Sequence, residues 1–196
     1  MLLESSFDQE TRRTAHPMRH LPMLWHPRPP AAPCLYRAWL TDRGSLTHRI
    51  RARCSAFSVR GLRLTRAKSG RDEAAYVNLN PRELALLREV LLYCGDTPVV
   101  FAHSVIPRAG LRGPWRSLSS LGSKPLGAAL FADPQVKRSP LQFKKLSRRH
   151  ELYRRACRVL PDPPAYLWAR RSVFTLRRQP ILVTEVFLPG ILELAN

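Results

Sequence analysis

The pattern of apolar and polar positions changes period several times along the chain. Its clearest strand is PILVTEVFLP, Pro180 to Pro189, a β-branched and aromatic run bounded by prolines. Side chains of a strand alternate between faces, so Ile181, Val183, Glu185 and Phe187 share one face and Leu182, Thr184, Val186 and Leu188 the other. Both faces are largely apolar, which predicts a strand covered on both sides. RSVFTL precedes it across RRQP and predicts a hairpin. A second hairpin is predicted from LLREVLLYC and VVFAHSVIP, joined by the turn chemistry of Cys94 to Pro98. There Arg88, Val90 and Leu92 share a face, while Glu89 points to the other, as a solvent-facing residue or a surface companion of Arg88.

Helical spacing marks CLYRAWL, broken by Asp42 and Gly44, after which Ser45 caps a second short helix in SLTHRIRARC. Residues 55–64 predict a strand with a bend near Gly61, and a polar loop follows from Lys68 to Asp72. Short helices are predicted over Pro114 to Leu121 and over KPLGAALF. Residues 137–160 read as a basic helical segment carrying Phe143, Leu146, Leu152 and Tyr153, closed by PDPP. Hairpins with interspersed helices predict an α+β fold: a single domain with an antiparallel β-sheet and flanking helices over residues 33–196. Residues 1–32 are basic and rich in Pro and His, and read as a flexible extension in which His16, His20 and His26 belong to a tail and not to a metal site.

Composition adds a partner question. The chain has 196 residues, enough for one domain with a real core, and 33 Lys+Arg against 14 Asp+Glu, a formal charge of +19. Such a charge suits nucleic acid, an anionic surface or a small anionic substrate. The basic residues are scattered, thickest at Arg49 to Arg71 and Lys137 to Arg158, and no helix-turn-helix, zinc-finger or RNP signature accompanies them. No specific nucleic-acid partner is therefore expected. Cys34, Cys54, Cys94 and Cys157 form no CxxC pair. That argues against zinc and predicts reduced thiols in a cytoplasmic protein. No apolar run approaches the roughly 20 residues that span a bilayer, and a monomer is expected.

Two charges stand inside apolar strands: Arg88 and Glu185. A buried ion without a partner costs several kcal/mol or more. They can pair with each other, or face one cavity and hold opposite ends of a polar anionic ligand. A guanidinium grips a carboxylate bidentately, and a carboxyl at the far end can bond a hydroxyl or handle a proton.

These residues lie in motifs that together resemble one family. WLTDRGSLTHR, LREVLLY, VIP, LxxLGSKPLGAALF, LWARRSVF and PILVTEVFLP follow in order over about residues 35–190, and so the chain resembles the chorismate pyruvate-lyases of the UbiC type. The resemblance implies conversion of chorismate to 4-hydroxybenzoate and pyruvate, the first step of ubiquinone synthesis, with no cofactor. It implies a sheet and helices enclosing an internal ligand pocket under flap-like segments. It places Arg88 at the ring carboxylate and Glu185 at the opposite end of the ligand. Leu46 and Leu126 are implied as further substrate-binding positions through backbone N–H groups and packing; as plain core leucines they would need no such role. The chain departs from the pattern in its long basic N-terminal extension, in an apparent basic insertion at 137–160, and in Leu46, where methionine would equally fit. Three other readings stand beside the lyase: a non-catalytic sensor of small aromatic acids of the UTRA type, which shares the fold; a basic nucleic-acid-binding protein; and a relative making a different hydroxybenzoate.

Overall fold

A computed structural model of the chain describes residues 25–29, 31–80, 82–122 and 124–194, with the side chains of Leu62 and Ser119 left aside. Among these residues, seven strands build one antiparallel sheet: β1 (Phe57–Ala67), β2 (Ala85–Cys94), β3 (Thr97–Pro107), β4 (Lys137–Arg138), β5 (Gln142–Ser147), β6 (Tyr166–Leu176) and β7 (Gln179–Phe187). The order is β1-β2-β3-β7-β6-β4, with β5 also on β6. Both expected hairpins are present. β2 and β3 pair from Ala85↔Pro107 to Cys94↔Thr97, and β6 and β7 from Trp168↔Phe187 to Leu176↔Gln179. The second turn puts Arg177 and Arg178 at φ of 47° and 65°, the left-handed pair that suits the twist of a two-residue hairpin. The bend expected near Gly61 is a bulge: the register of β1 on β2 shifts between Arg60 and Arg63, and Gly61 sits at φ 65°.

Helices cover both faces, which is why the central strands carry apolar residues at successive positions. On one face α1 (Cys34–Thr41) and α2 (Leu46–Arg51) pack Trp39, Leu40 and Ile50 against Val90, Leu92 and Phe187. The Ser45 hydroxyl accepts from the amide of His48 at the start of α2, as the capping pattern predicts. On the same face α5 (Leu126–Ala132) brings Leu126 and Leu130 onto Phe174 and Ile181, with Trp115 and Leu118 of the preceding turns. The opposite face is covered by α6 (Glu151–Ala156), whose Leu152 and Ala156 meet Leu146, Leu167 and Val186, and by Val77 and Leu79 against Leu87 and Leu182.

Several expectations change. Residues 137–160 do not form one basic helix. They hold β4, β5 and then α6, and Gln142↔Arg171 through Ser147↔Tyr166 make β5 a full partner of β6. A six-residue strand whose buried positions include Lys144 offers too little alternation to be told from the polar side of a helix. The segment is therefore integral to the sheet. The polar loop at 68–72 ends in a short helix, α3 (Arg71–Ala74), and α4 (Arg108–Arg112) precedes the turn at 116–120. Cys54 and Cys94 form a disulfide, against the expectation of four reduced thiols; Cys34 is free and exposed and Cys157 free and buried. Phe57↔Cys94 pairing brings the start of β1 to the end of β2, and the two cysteines with it. Residues 1–24 of the expected extension, with His16 and His20, lie outside the described residues. Its next part is packed: Trp25 is buried, and His26 bridges Phe143 of β5. Among the described residues no helix is long and apolar enough to cross a membrane, and no group of His, Cys, Asp and Glu is arranged to hold a metal.

Candidate active site

A narrow cavity of about 40 Å³ lies between the sheet and the pair α2 and α5. It is lined by all four residues singled out in the sequence, Leu46, Arg88, Leu126 and Glu185, together with Ser104, Arg138 and Ser172. Strand register explains the convergence. Arg88 of β2 stands opposite Ser104 of β3, Ser104 opposite Val183 of β7, and Val183 opposite Ser172 of β6. One row across four strands thus projects onto the same face, with Glu185 two residues along from Val183.

Arg88 is only 2% exposed and, among the described residues, pairs with no carboxylate. One terminal nitrogen, Nη2, donates to the carbonyls of Gly122 at 3.1 Å and Lys124 at 2.9 Å, while Nε is buried with no partner. Burial pulls its pKa below the ordinary arginine value. An unpaired buried N–H on a charged group is costly, and its natural complement is an anion entering the cavity. The two carbonyl contacts tie this guanidinium to the segment before α5, whose Pro125 lines the cavity.

Glu185 does not pair with Arg88. Its partner is Arg170, which stands directly opposite it on β6. Arg170 Nε donates to Glu185 Oε2 at 2.6 Å, and Nη1 donates to the carbonyls of Trp39 at 2.8 Å and Asp42 at 2.6 Å. Arg170 is fully buried, and the Glu185 side chain is 17% exposed, toward the cavity. The pair therefore answers the burial problem for Glu185 while leaving its carboxylate open to a ligand. Three short carbonyl and carboxylate contacts fix Arg170, which thereby links the carboxylate to the end of α1.

Leu46 and Leu126 are the first residues of α2 and α5, and both are buried. Their amides belong to the first helical turns, where N–H groups lack intrahelical acceptors. The two helix starts approach closely, because a Cβ on Gly127 would sit 3.3 Å from Thr47 Oγ1. Glycine at that position of the PLG motif lets α5 close over α2.

Two functional-looking residues were not singled out in the sequence. Arg170 lies inside LWARRSVF, and its apolar surroundings on a predicted strand were the available signal. Arg138 had none, since its segment reads as a helix. Its Nε donates to Ser172 Oγ at 2.9 Å and its Nη1 to the Arg43 carbonyl at 2.7 Å. The rings of Phe131 and Phe174 lie 5.5 and 5.0 Å from its guanidinium carbon.

The other face of the sheet holds a separate charge cluster. Glu89 is buried there, not solvent-facing. His103 of β3, opposite it, has Nδ1 3.1 Å from Glu89 and Nε2 3.2 Å from Glu73 of α3, and Arg155 of α6 also pairs with Glu89. Burial alone would push the His103 imidazole down, but the two carboxylates outweigh it and hold the pKa up at about 9. Burial would likewise raise Glu89, yet His103 and Arg155 bring it down to about 2. Imidazolium and carboxylates neutralise one another and cement α3 and α6 to the sheet, away from the cavity.

The family model described as "Chorismate lyase" matches residues 24–195. The "Probable chorismate pyruvate-lyase" of Nitrosospira multiformis is 59% identical over 172 residues, covering 87% of this chain and 96% of that protein. The protein of the same name from Nitrosomonas europaea is 52% identical, covering 88% and 97%. Among solved structures, a GntR-family transcriptional regulator from Bacillus cereus aligns with a TM-score of 0.51 at 12% identity, over 69% of this chain and 93% of that one. The last likeness is one of fold alone.

Proposed function

The chain belongs to the chorismate lyase family, and on that premise we propose that its cavity converts chorismate to 4-hydroxybenzoate and pyruvate. The protein is an enzyme, a carbon–oxygen lyase. The observation that carries the site assignment is that Arg88 and Glu185, far apart in sequence, line one small enclosed cavity without pairing with each other.

The reaction breaks the ether bond between the ring and the enolpyruvyl group. The bonding pair leaves on the ether oxygen, a ring proton is lost, and its C–H electrons complete the aromatic ring. The enolate that departs takes up one proton at its methylene carbon to become pyruvate. Atoms and electrons balance with no water, oxidant or reductant, so the step needs orientation and charge stabilisation, not a cofactor. Arg88 anchors the ring carboxylate, which satisfies its unpaired Nε. Glu185, held by Arg170, lies across the ring by the oxygen substituents, as hydrogen-bond partner or proton carrier. The amides of Leu46 and Leu126 contribute N–H donors at the helix starts. The cavity holds little more than a water or two as it stands, so the segment bonded to Arg88 must shift to admit a ring. This reading makes the protein the entry to ubiquinone synthesis, acting in the cytoplasm as a monomer.

The test is incubation of the purified protein with chorismate alone and chromatography of the products. Equimolar 4-hydroxybenzoate and pyruvate is the expected result. No product, with a higher melting temperature in 4-hydroxybenzoate, would overturn it in favour of a sensor on the same fold.

A further inference from the structure

We propose that Arg138 is the second anion-binding residue of the cavity: it grips the carboxylate of the three-carbon unit and so makes the site selective for ligands with two carboxylates over those with one. The proposal rests on the lyase reading and extends it to a residue outside the four that the resemblance marked.

Arg138 is oriented but not neutralised. Ser172 holds its Nε and the Arg43 carbonyl its Nη1, and two aromatic rings flank it. Among the described residues it forms no ion pair, and its Nη2 makes no hydrogen bond. A guanidinium fixed at Nε and Nη1 by neutral acceptors still presents the N–H groups of Nη2 to a carboxylate.

Charge bookkeeping around the cavity points the same way. Arg88 and Arg138 line the cavity with Glu185, and Arg170 pairs with Glu185 from behind the lining; with nearby Asp42 balanced by Arg49, two positives are left over. A dianion neutralises that remainder. A monoanion leaves one cation uncompensated in a partly buried site, which is unfavourable.

Position completes the argument. Arg88 is on β2 and Arg138 on β4, at opposite ends of the path β2-β3-β7-β6-β4. Four strand steps of about 4.8 Å place their backbones about 19 Å apart. Both side chains line the cavity from those ends, so a ring admitted by the shift of the segment bonded to Arg88 would have one guanidinium at each side. Ser172, which orients Arg138, lies two residues from Arg170, the partner of Glu185, so Arg138 and Glu185 attend the same end of the ligand. Arg138 also lines an outer groove of about 570 Å³ bordered by Pro29, Thr41, Arg43 and Leu141, so the three-carbon end faces the way out.

The test uses two stable ligands and the full chain. One is 4-hydroxybenzoate, with one carboxylate; the other is 3-(carboxymethoxy)-4-hydroxybenzoate, with two. Calorimetry on the wild-type chain should show tighter binding of the dianion, and equal affinity would overturn the proposal before any variant is made. Arg138→Met should weaken the dianion about 10- to 100-fold and leave the monoanion within about threefold, with Arg138→Lys in between. A parallel loss of both ligands in Arg138→Met would make the residue structural and refute the proposal. Turnover of chorismate by the wild-type chain separates the two readings: no turnover sinks the lyase, whereas turnover with unaltered ligand discrimination in Arg138→Met sinks only the role of Arg138.

Discussion

Arg170 and Glu185 stand directly opposite each other on β6 and β7, with guanidinium Nε 2.6 Å from the carboxylate, on the face of the sheet that also carries Arg88, Ser104 and Ser172. The pair explains how an acid can sit inside PILVTEVFLP and still be available to a ligand. Truncating Arg170 would strand Glu185 and release the carbonyls of Trp39 and Asp42. Arg170→Met should cost about 3–5 kcal/mol of folding free energy, read from urea denaturation, and an unchanged midpoint would show that the pair is not structural.

Arg88→Ala should leave the ligand carboxylate without its anchor. Binding of 4-hydroxybenzoate should weaken by about 2–5 kcal/mol, measured by calorimetry. Native affinity in that variant would remove Arg88 from the site.

Glu185→Gln keeps the shape and loses the charge and the proton acceptor. It should bind 4-hydroxybenzoate with near-native affinity while kcat for chorismate falls about 10²- to 10⁴-fold. A native kcat would take Glu185 out of the chemistry.

The His103 cluster sets a pH window for stability. His103 has its pKa raised from 6.5 to about 9, so its contribution is complete below 6.5 and is lost as pH rises through 9. Glu89 is lowered from 4.5 to about 2, so its contribution is complete above 4.5 and is lost as pH falls through 2. Melting temperature should be flat between these limits as far as this cluster decides it, and decline on the alkaline side by the equivalent of about 3 kcal/mol at most. His103→Gln should lower stability near neutrality and flatten the alkaline decline; a decline of wild-type size in that variant would assign it to other groups.

The Cys54–Cys94 disulfide closes a loop of 40 residues across β1 and β2. Reduction should cost about 4 kcal/mol in the chain-entropy account, seen as a lower urea midpoint with reductant. Thiol titration of the denatured, unreduced chain should find the two free cysteines, Cys34 and Cys157.

Local pattern was enough for the two hairpins, the α1–α2 pair with its Ser45 cap, the bulge at Gly61 and the choice of Arg88 and Glu185 as charges set inside apolar strands. Each depends on neighbours in the chain: alternation, turn chemistry, or an ion inside an apolar run. What failed was of another kind. Residues 137–147 become strands only because β6 offers an edge for them to pair with, and no local period announces that. Glu89 is buried because α3 and α6 deliver His103 its second carboxylate and Glu89 its arginine from remote parts of the chain. The same holds for the cavity. Sequence nominated the two ends of the ligand, but that Glu185 is paired with Arg170 and not Arg88, and that Arg138 joins them, was decided by strand order. Long-range register determines which side chains share a face across strands, and a one-dimensional pattern records only which residues share a face within one.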